Sequence, residues 1–417
     1  MEFSSYEAII GLSLILIVSF GFSQLSRKTN IPSVLMLIIL GIGLQSFLDD
    51  FGPRLQPVLE LLGNVGLIMI VLEAALDLEL SRNKLGLILQ SAGVALVALL
   101  GTSGLIGYMF VEVFETSWYS ALVYAVPLSV MSSAIIIPSV ANLAVARREF
   151  MVYESTFSDI LGIIVFLFLT TTKADSTAGQ ITVDVIINIL ITLAIAIISS
   201  YALVYILLKL RTQVKLFLII AVLMLIYAYG KKEHYSSLII IMVFGLIFSN
   251  YRLFFIGRLR RLVNTEDMHS ILHSFHTITL ETAFVVRTFF FVVFGLTLNL
   301  SELLDFKTAM VGIGVTASIF LVRFICMKLF AYPYTNPEVW IAPRGLITIL
   351  LFYQIMPLGI EITGFSKGVL LYAILLTGLI MTVAMISSAR KKKQLPPAAL
   401  PSLSAVDAMI DRKSQTI

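Results

Sequence analysis

The chain has 417 residues, of which 59% are hydrophobic and 13% charged, and its formal net charge is +4. An ordinary soluble domain has roughly 25% charged residues, so this composition excludes a soluble enzyme, a nucleic-acid-binding domain and a secreted scaffold. The one cysteine, Cys326, has no second cysteine with which to form an internal disulfide. The composition therefore predicts an all-α polytopic membrane protein.

Apolar stretches separated by charged or Pro/Gly-rich turns recur along most of the chain. A spanning helix needs about 20 apolar residues, and this rule predicts about 13 transmembrane helices, of which the eighth and ninth are short. They fall at 6–22, 31–47, 57–78, 85–110, 119–141, 151–170, 181–208, 216–229, 237–249, 270–298, 308–330, 337–356 and 368–388. The prediction is a membrane domain over 1–389, with one six-helix half at 6–170, a linker helix at 181–208 and a second half at 216–388. Residues 390–417, rich in Pro, Ser and Ala, are predicted to form a short disordered cytoplasmic tail.

The basic residues favour one orientation in the membrane. If odd-numbered spans run inward, the inner loops contain eighteen Lys and Arg residues and the outer loops six. Because Lys and Arg accumulate on the cytoplasmic side, the N-terminus is predicted outside and the C-terminus in the cytoplasm. We expect a bacterial inner (plasma) membrane, lipids as the surroundings and no nucleic-acid partner.

A few charged residues fall inside the predicted spans, where burial in hydrocarbon costs roughly 2.5 kcal/mol or more. They are Glu73, Glu154, Asp159, Glu281, Arg287, Arg323 and Arg344. Acids and bases are nearly matched, four against three, so internal pairing is feasible. One acid then remains free to titrate.

Span six carries a polar helix face. Ser155, Ser158 and Asp159 stand at i, i+3 and i+4, so they share one side of a helix. Two hydroxyls beside a carboxylate make a sensible oxygen ligand set for a small hard cation. Glu154 lies at the edge of this face.

Spans five and twelve both contain residues that interrupt helices. Span five has Pro127 and Pro138, and span twelve has Pro343 followed by Arg344 and Gly345. Proline breaks the helical hydrogen-bond ladder, which a membrane tolerates only where the backbone lines a cavity or packs in protein. Interrupted segments at matching positions of two halves indicate the binding site of a transporter.

These motifs resemble those of the monovalent cation/proton antiporter superfamily, in its thirteen-helix sodium/proton exchanger branch. The similar stretches are Arg27 to Leu44, Gly66 to Leu80, Glu154-Ser155 with Ser158-Asp159, Phe290 to Leu298, and Pro343-Arg344-Gly345-Leu346-Ile347. The resemblance implies two inverted six-helix repeats in which the broken helices, spans five and twelve, cross. It also implies a mobile core domain and a dimer-forming domain, and hence a homodimer.

The resemblance also implies roles for individual residues. It assigns Asp159 as the group that binds cation and proton in turn, and Ser155 and Glu73 match positions that help to form the site in some members. Position 158 is usually Asn or Asp in the family and is Ser158 here. Many members have Thr-Asp-Pro in the fifth helix, where this chain has Met131-Ser132-Ser133. The sequence of this chain is closer to that of the potassium-efflux branch.

Glu154 matches a family acid that pairs with a basic residue. Two bases within the predicted spans, Arg344 and Arg287, are the candidate partners. The cation and proton site is therefore predicted to be formed by span six and the broken helices, and the ion pair of Glu154 is predicted to have a structural role beside it.

The implied function is exchange of a monovalent cation for H⁺ by alternating access, with Na⁺ first and K⁺ or Li⁺ as alternatives. Because Asp159 has no second aspartate beside it, we expect an electroneutral 1:1 exchange serving pH homeostasis, with no cofactor and no enzymatic activity. Two alternatives stay open: a cation channel or leak pathway, and an organic-anion carrier on a similar inverted-repeat fold. The absence of a filter motif argues against a channel, and a buried, unpaired acid argues against an anionic substrate.

Overall fold

The computed structural model describes residues 5–29, 31–45, 56–78, 80–141, 143–171, 178–209, 215–232, 237–255, 265–298, 300–331 and 336–394. The helices are α1 (Ser5–Thr29), α2 (Ser33–Gln45), α3 (Gln56–Asp77), α4 (Leu85–Phe114), α5 (Trp118–Ser129), α6 (Ser133–Ser139), α7 (Val145–Thr171), α8 (Ala178–Lys209), α9 (Lys215–Lys232), α10 (Ser237–Ser249), α11 (Tyr251–Phe254), α12 (Thr265–Thr297), α13 (Phe306–Phe330), α14 (Leu346–Ile355) and α15 (Gly368–Gln394). No strand occurs in these ranges, so the all-α prediction is confirmed.

Each predicted span coincides with helical structure in the described ranges. Seven helices there are long and apolar enough to cross a membrane, and five shorter apolar helices accompany them. Span five consists of α5 and α6, and span twelve consists of a 3-10 turn at Glu338–Trp340 followed by α14. The last helix, α15, continues to Gln394, which lies within the predicted tail; residues 395–417 lie outside the described residues.

The helices pack as two bundles. The crossing bundle comprises α4–α7 and α13–α15: α4 packs against α5, α7 and α13, and α13 packs against α15. The flanking bundle comprises α1–α3 and α8–α12: α12 packs against α2 and α3, and α10 packs against α3 and α8. The bundles meet at sparser contacts, chiefly those of α3 with α7 and α14. Each bundle draws helices from both predicted halves, and the inverted-repeat boundaries themselves stay a prediction.

Polar caps fix the start of two helices that follow short turns. Ser117 caps α5 by accepting a hydrogen bond from the backbone N–H of Ser120 at 3.1 Å. Asp305 caps α13 by accepting the backbone N–H of Thr308 at 2.9 Å and its hydroxyl at 2.7 Å. These hydrogen bonds favour the charged carboxylate and lower the pKa of Asp305.

Glycine allows α2 and α12 to approach until their backbones touch. A Cβ added to Gly41 would overlap the carbonyl oxygen of Val292 and the Cα of Gly295, and one added to Gly295 would overlap the carbonyl oxygen of Ile38. In a membrane the hydrophobic effect does not drive helices together, so their association depends on the close packing that small residues allow. This contact brings α12, with its charged residues, close to α2 and α3.

We expect Gly41→Ala to destabilise the protein by about 1–3 kcal/mol, the usual range for overpacking a close contact. Thermal unfolding in detergent measures the effect. Gly43→Ala is the matched control on the same helix, because a Cβ there meets no atom within 4 Å. Equal melting temperatures for the two variants would contradict the close approach of α2 and α12.

Candidate functional site

The break between α5 and α6 exposes backbone groups in the middle of the protein. The α5 helix ends at Ser129, and α6 begins at Ser133, with Val130 and Ser132 in extended conformations between them. In a medium without water, each unsatisfied backbone N–H costs several kcal/mol. The N–H groups of this segment therefore need partners from neighbouring elements.

Three successive N–H groups at the break each find an acceptor, two of them on α7 and one in span twelve. Met131 donates to Ser158 Oγ at 2.9 Å, Ser132 donates to the carbonyl oxygen of Pro343 at 3.0 Å, and Ser133 donates to Asp159 Oδ2 at 3.1 Å. A Cβ on Gly345 would overlap the Ser132 side chain, so glycine is required where the segments cross. The two broken helices thus cross in direct backbone contact, as predicted.

Asp159 is buried at this crossing, with 2% of its surface exposed. Oδ2 accepts the Ser133 N–H, whereas Oδ1 is buried without a hydrogen-bond partner. The ion pairs found among the described residues leave Asp159 without a basic partner within salt-bridge distance. Its carboxylate is therefore held in place by one oxygen and keeps the other available for a proton or a cation.

The other predicted oxygen ligands have different positions. Ser155 is buried one turn before Asp159 on α7, and its hydroxyl donates to the carbonyl oxygen of Val152 at 3.1 Å. Ser132 and Ser133 are buried at the break, and Ser133 contacts Asp159 through its backbone. Ser158 already accepts the Met131 N–H and lines a separate small cavity beside Glu154. Both Asp159 and Ser158 therefore contact the break, but Ser158 also turns toward this separate cavity.

Glu154 pairs with Arg323, so the predicted pairing with Arg344 or Arg287 is wrong. Arg323 Nη1 lies 2.8 Å from Glu154 Oε1, and Nη2 lies 3.2 Å from Oε2. The Arg323 side chain also donates to the carbonyl oxygen of Glu338. The pair joins α7 to α13, and its bidentate geometry satisfies both buried charges.

Among the described residues, no carboxylate lies within hydrogen-bond distance of the Arg344 side chain. Its Nε donates to the carbonyl oxygen of Leu128 at 2.7 Å and its Nη1 to that of Ala342 at 3.0 Å. The Leu128 carbonyl belongs to the last turn of α5, where the helix dipole favours a cation. Arg344 therefore stabilises the broken end of α5 from across the crossing.

Glu73 and Arg287 form an ion pair in the flanking bundle. Arg287 Nη2 lies 2.6 Å from Glu73 Oε2, and their side chains are 17% and 16% exposed. One turn along α3, Asp77 contacts His276 Nε2 at 2.7 Å. Glu281, the remaining acid of the predicted spans, is exposed on α12.

Three of these groups, Glu73, Asp77 and Arg287, line a cavity of about 410 Å³. Hydroxyls of α1 and α12 cover one side of it, charged groups of α3 and α12 another, and residues of α6 a third. The lining includes Ser19, Ser23, Ser26, Thr288, Glu73, Asp77, Arg287, Ala134, Ile137 and Pro138. Ser19 and Thr288 hold α1 against α12 by a 2.6 Å hydrogen bond between their hydroxyls. The cavity lies between the two bundles and reaches α6, the helix that begins beside Asp159.

The sequence reasoning missed one buried acid. Glu338 is fully buried at the 3-10 turn of span twelve, and Arg147 Nη1 lies 3.2 Å from its Oε1, at ion-pair distance but without hydrogen-bond geometry. Arg147 also donates to the carbonyl oxygen of Asn336 at 2.8 Å. Because Glu338 follows Asn336-Pro337 at the edge of an apolar run, nothing in the pattern distinguished it from a loop residue.

We expect Arg323→Ala to destabilise the protein by about 3–5 kcal/mol, because it leaves the Glu154 carboxylate buried and uncompensated. Adding Glu154→Gln should recover part of the loss in thermal unfolding experiments. Arg287→Ala is the control, and its effect should be smaller because Glu73 is partly exposed. A double variant no more stable than Arg323→Ala alone would argue against the pair.

Comparisons with known proteins agree with this architecture. The sequence matches the family described as "Sodium/hydrogen exchanger, transmembrane" over residues 12–391, whereas no curated protein matches it. The fold is similar to two solved structures of the sodium proton antiporter MjNhaP1 from Methanocaldococcus jannaschii. The structure at pH 8 has a TM-score of 0.67 and 19% identity, covering 92% of this chain and 96% of that one. The second, an electron-microscopy structure, has a TM-score of 0.61 and 17% identity, covering 96% and 100%.

The family match spans nearly all of the membrane domain, including the crossing of the broken helices and the buried Asp159. The protein is thus a multi-pass integral membrane transporter and not an enzyme. The chain belongs to the sodium/hydrogen exchanger family.

Proposed function

We propose that the chain exchanges one monovalent cation, Na⁺ first, for one H⁺ by alternating access, with Asp159 binding the two in turn. The observation that supports this most directly is the free Oδ1 of the buried Asp159. A carboxylate without a permanent basic partner changes its occupant without first breaking an ion pair. Its negative charge also disfavours an organic anion as cargo.

The proposed coordination uses oxygen atoms at the crossing. Oxygen ligands suit hard cations, and Asp159 Oδ1 supplies one such oxygen, with the Ser155, Ser132 and Ser133 hydroxyls as candidate neighbours. Ser158 is a less suitable ligand, because its oxygen already accepts the Met131 N–H. K⁺ and Li⁺ remain alternatives to Na⁺. The proposal involves no cofactor, since cation and proton are the cargo.

The ion pairs of the other acids support the proposed electroneutrality. Glu154 is paired with Arg323 and Glu73 with Arg287, so neither is free in the way that Asp159 is. The neighbouring position 158 is a serine, which carries no second titrating charge. One exchangeable carboxylate carries one proton or one monovalent cation, and each cycle then moves no net charge.

In the proposed cycle, movement of the two bundles relative to each other provides the alternating access. The cavity of about 410 Å³ lies between them and is bordered by α6 of the crossing bundle. With the N-terminus outside and the C-terminus in the cytoplasm, as the basic loops favour, this cavity opens to the cytoplasm. We further propose a homodimer in a bacterial inner membrane, surrounded by lipid and serving pH homeostasis.

We expect Asp159→Asn to abolish cation-driven proton movement, because an amide neither releases a proton nor balances a cation. Proteoliposomes with a pH-sensitive dye inside, tested with Na⁺, K⁺ and Li⁺ in turn, measure this. The control is Glu112→Gln, which neutralises an exposed acid near the end of α4 and should leave exchange unchanged. Normal exchange by a folded Asp159→Asn protein would refute the assignment.

Exchange should also be insensitive to membrane voltage. Under a potassium–valinomycin clamp the rate of Na⁺-driven exchange should stay constant, and solid-supported membrane recordings should show at most a small transient. A sustained current that reverses with the gradient would overturn electroneutrality. If Glu73→Gln then removed that current while exchange continued, Glu73 would be the second proton carrier despite its ion pair.

A further inference from the structure

A second, much smaller cavity lies inside the crossing bundle, on the side of α7 to which Ser158 turns. Its volume is about 20 Å³. Elements α4, α5, α7, α13 and the extended part of span twelve all contribute to its wall. The polar residues lining it are Thr102, Ser129, Glu154, Ser158, Arg323 and Arg344, and all six are at least nine-tenths buried.

Two hydroxyl groups in this wall have unused hydrogen-bonding capacity. Ser158 is 4% exposed, and its oxygen accepts the Met131 N–H, but its own proton has no acceptor among the described residues. Thr102 is 3% exposed, and its hydroxyl makes no hydrogen bond there. Buried polar groups in proteins are nearly always hydrogen-bonded to protein or to ordered water. The two hydroxyls therefore require a partner inside the cavity.

The size and polarity of the cavity decide what that partner is. A cavity needs about 10–15 Å³ to hold one water molecule, and the water needs two to four polar partners. Two guanidinium groups in the wall disfavour a cation, whereas the Glu154 carboxylate disfavours an anion. A neutral molecule that both donates and accepts hydrogen bonds fits the mixed wall.

We propose that this cavity holds one ordered water molecule that bonds to the hydroxyls of Ser158 and Thr102. The water completes the hydrogen bonding of Ser158, whose oxygen holds the Met131 N–H two residues before Ser133, the donor to Asp159. It thereby helps to fix the backbone that positions Asp159.

The cavity wall contains a built-in reporter. Met131 lines the cavity and is 4% exposed, and Met385 on α15 has the same exposure but lies outside it. In synchrotron X-ray footprinting, hydroxyl radicals formed from a bound water oxidise the nearest side chains, and methionine sulfur reacts readily. Met131 should be oxidised several-fold faster than Met385. Equal rates in the wild-type protein would overturn the proposal.

Two substitutions test the origin of that excess. Ser158→Asn places an amide in the cavity, displaces the water and should reduce Met131 oxidation to the rate of Met385. If that variant does not fold, Thr102→Val removes one partner of the water and should lower the rate as well. Thr316→Val is the matched control, because its buried hydroxyl donates to Gly312 on α13 and does not line the cavity.

The outcome is independent of cation exchange, because labelling needs no transport. Undiminished oxidation of Met131 in Ser158→Asn, or in Thr102→Val where that variant is used instead, would contradict a water held by these hydroxyls. A chloride ion is the other occupant to test. If replacing chloride by gluconate changed the oxidation rate of Met131 or the melting temperature, the occupant would be an anion and the water assignment would be wrong.

Discussion

The structure depends on how three backbone N–H groups are satisfied where α5 is interrupted. In a bilayer the break is tolerated only if every freed group has a partner, and the partners here are Ser158, Pro343 and Asp159. This one requirement joins α7 and span twelve to span five. It also explains why Gly345 follows the proline and arginine, since any side chain there would collide with Ser132.

The same requirement sets the charge balance of the crossing. Asp159 is fixed through one oxygen by a backbone N–H, which leaves its charge unneutralised, whereas Glu154 is fixed by the guanidinium of Arg323, which neutralises it. Both acids lie on α7, five residues apart in sequence. The two side chains are similarly buried and differ in the group that holds them. The first arrangement suits the proposed exchange of a proton for a cation, whereas in the second the loss of either partner would leave a buried charge uncompensated.

The sequence predicted the features that local rules determine. Hydropathy located the helices, and Pro127 and Pro343 indicated that spans five and twelve are interrupted, although Pro127 itself lies inside α5. Helix periodicity selected the face of α7 that carries Asp159. The partner of Glu154 was beyond such rules, because Arg323 lies near the C-terminal end of span eleven and Arg344 near the N-terminal end of span twelve, which are predicted to face the same side of the membrane. Which of them reaches Glu154 depends on the packing of α13 against the crossing bundle. The side to which Ser158 turns depends likewise on the Met131 N–H, a contact that no periodicity reveals.

The distribution of ion pairs between the bundles bears on how exchange proceeds. Glu154 with Arg323 and Arg147 with Glu338 lie within the crossing bundle, and Glu73 with Arg287 lies within the flanking bundle. Relative movement of the bundles therefore leaves all three pairs intact. The hydrogen bond to Asp159 also lies within its own bundle. In the proposed cycle the site travels as a unit with its acid, and movement changes chiefly the distance of Asp159 from the Glu73–Arg287 wall and from the cavity beside it. Access is then controlled by the separation of two preformed bundles, and the site needs no rearrangement of its own to face either side.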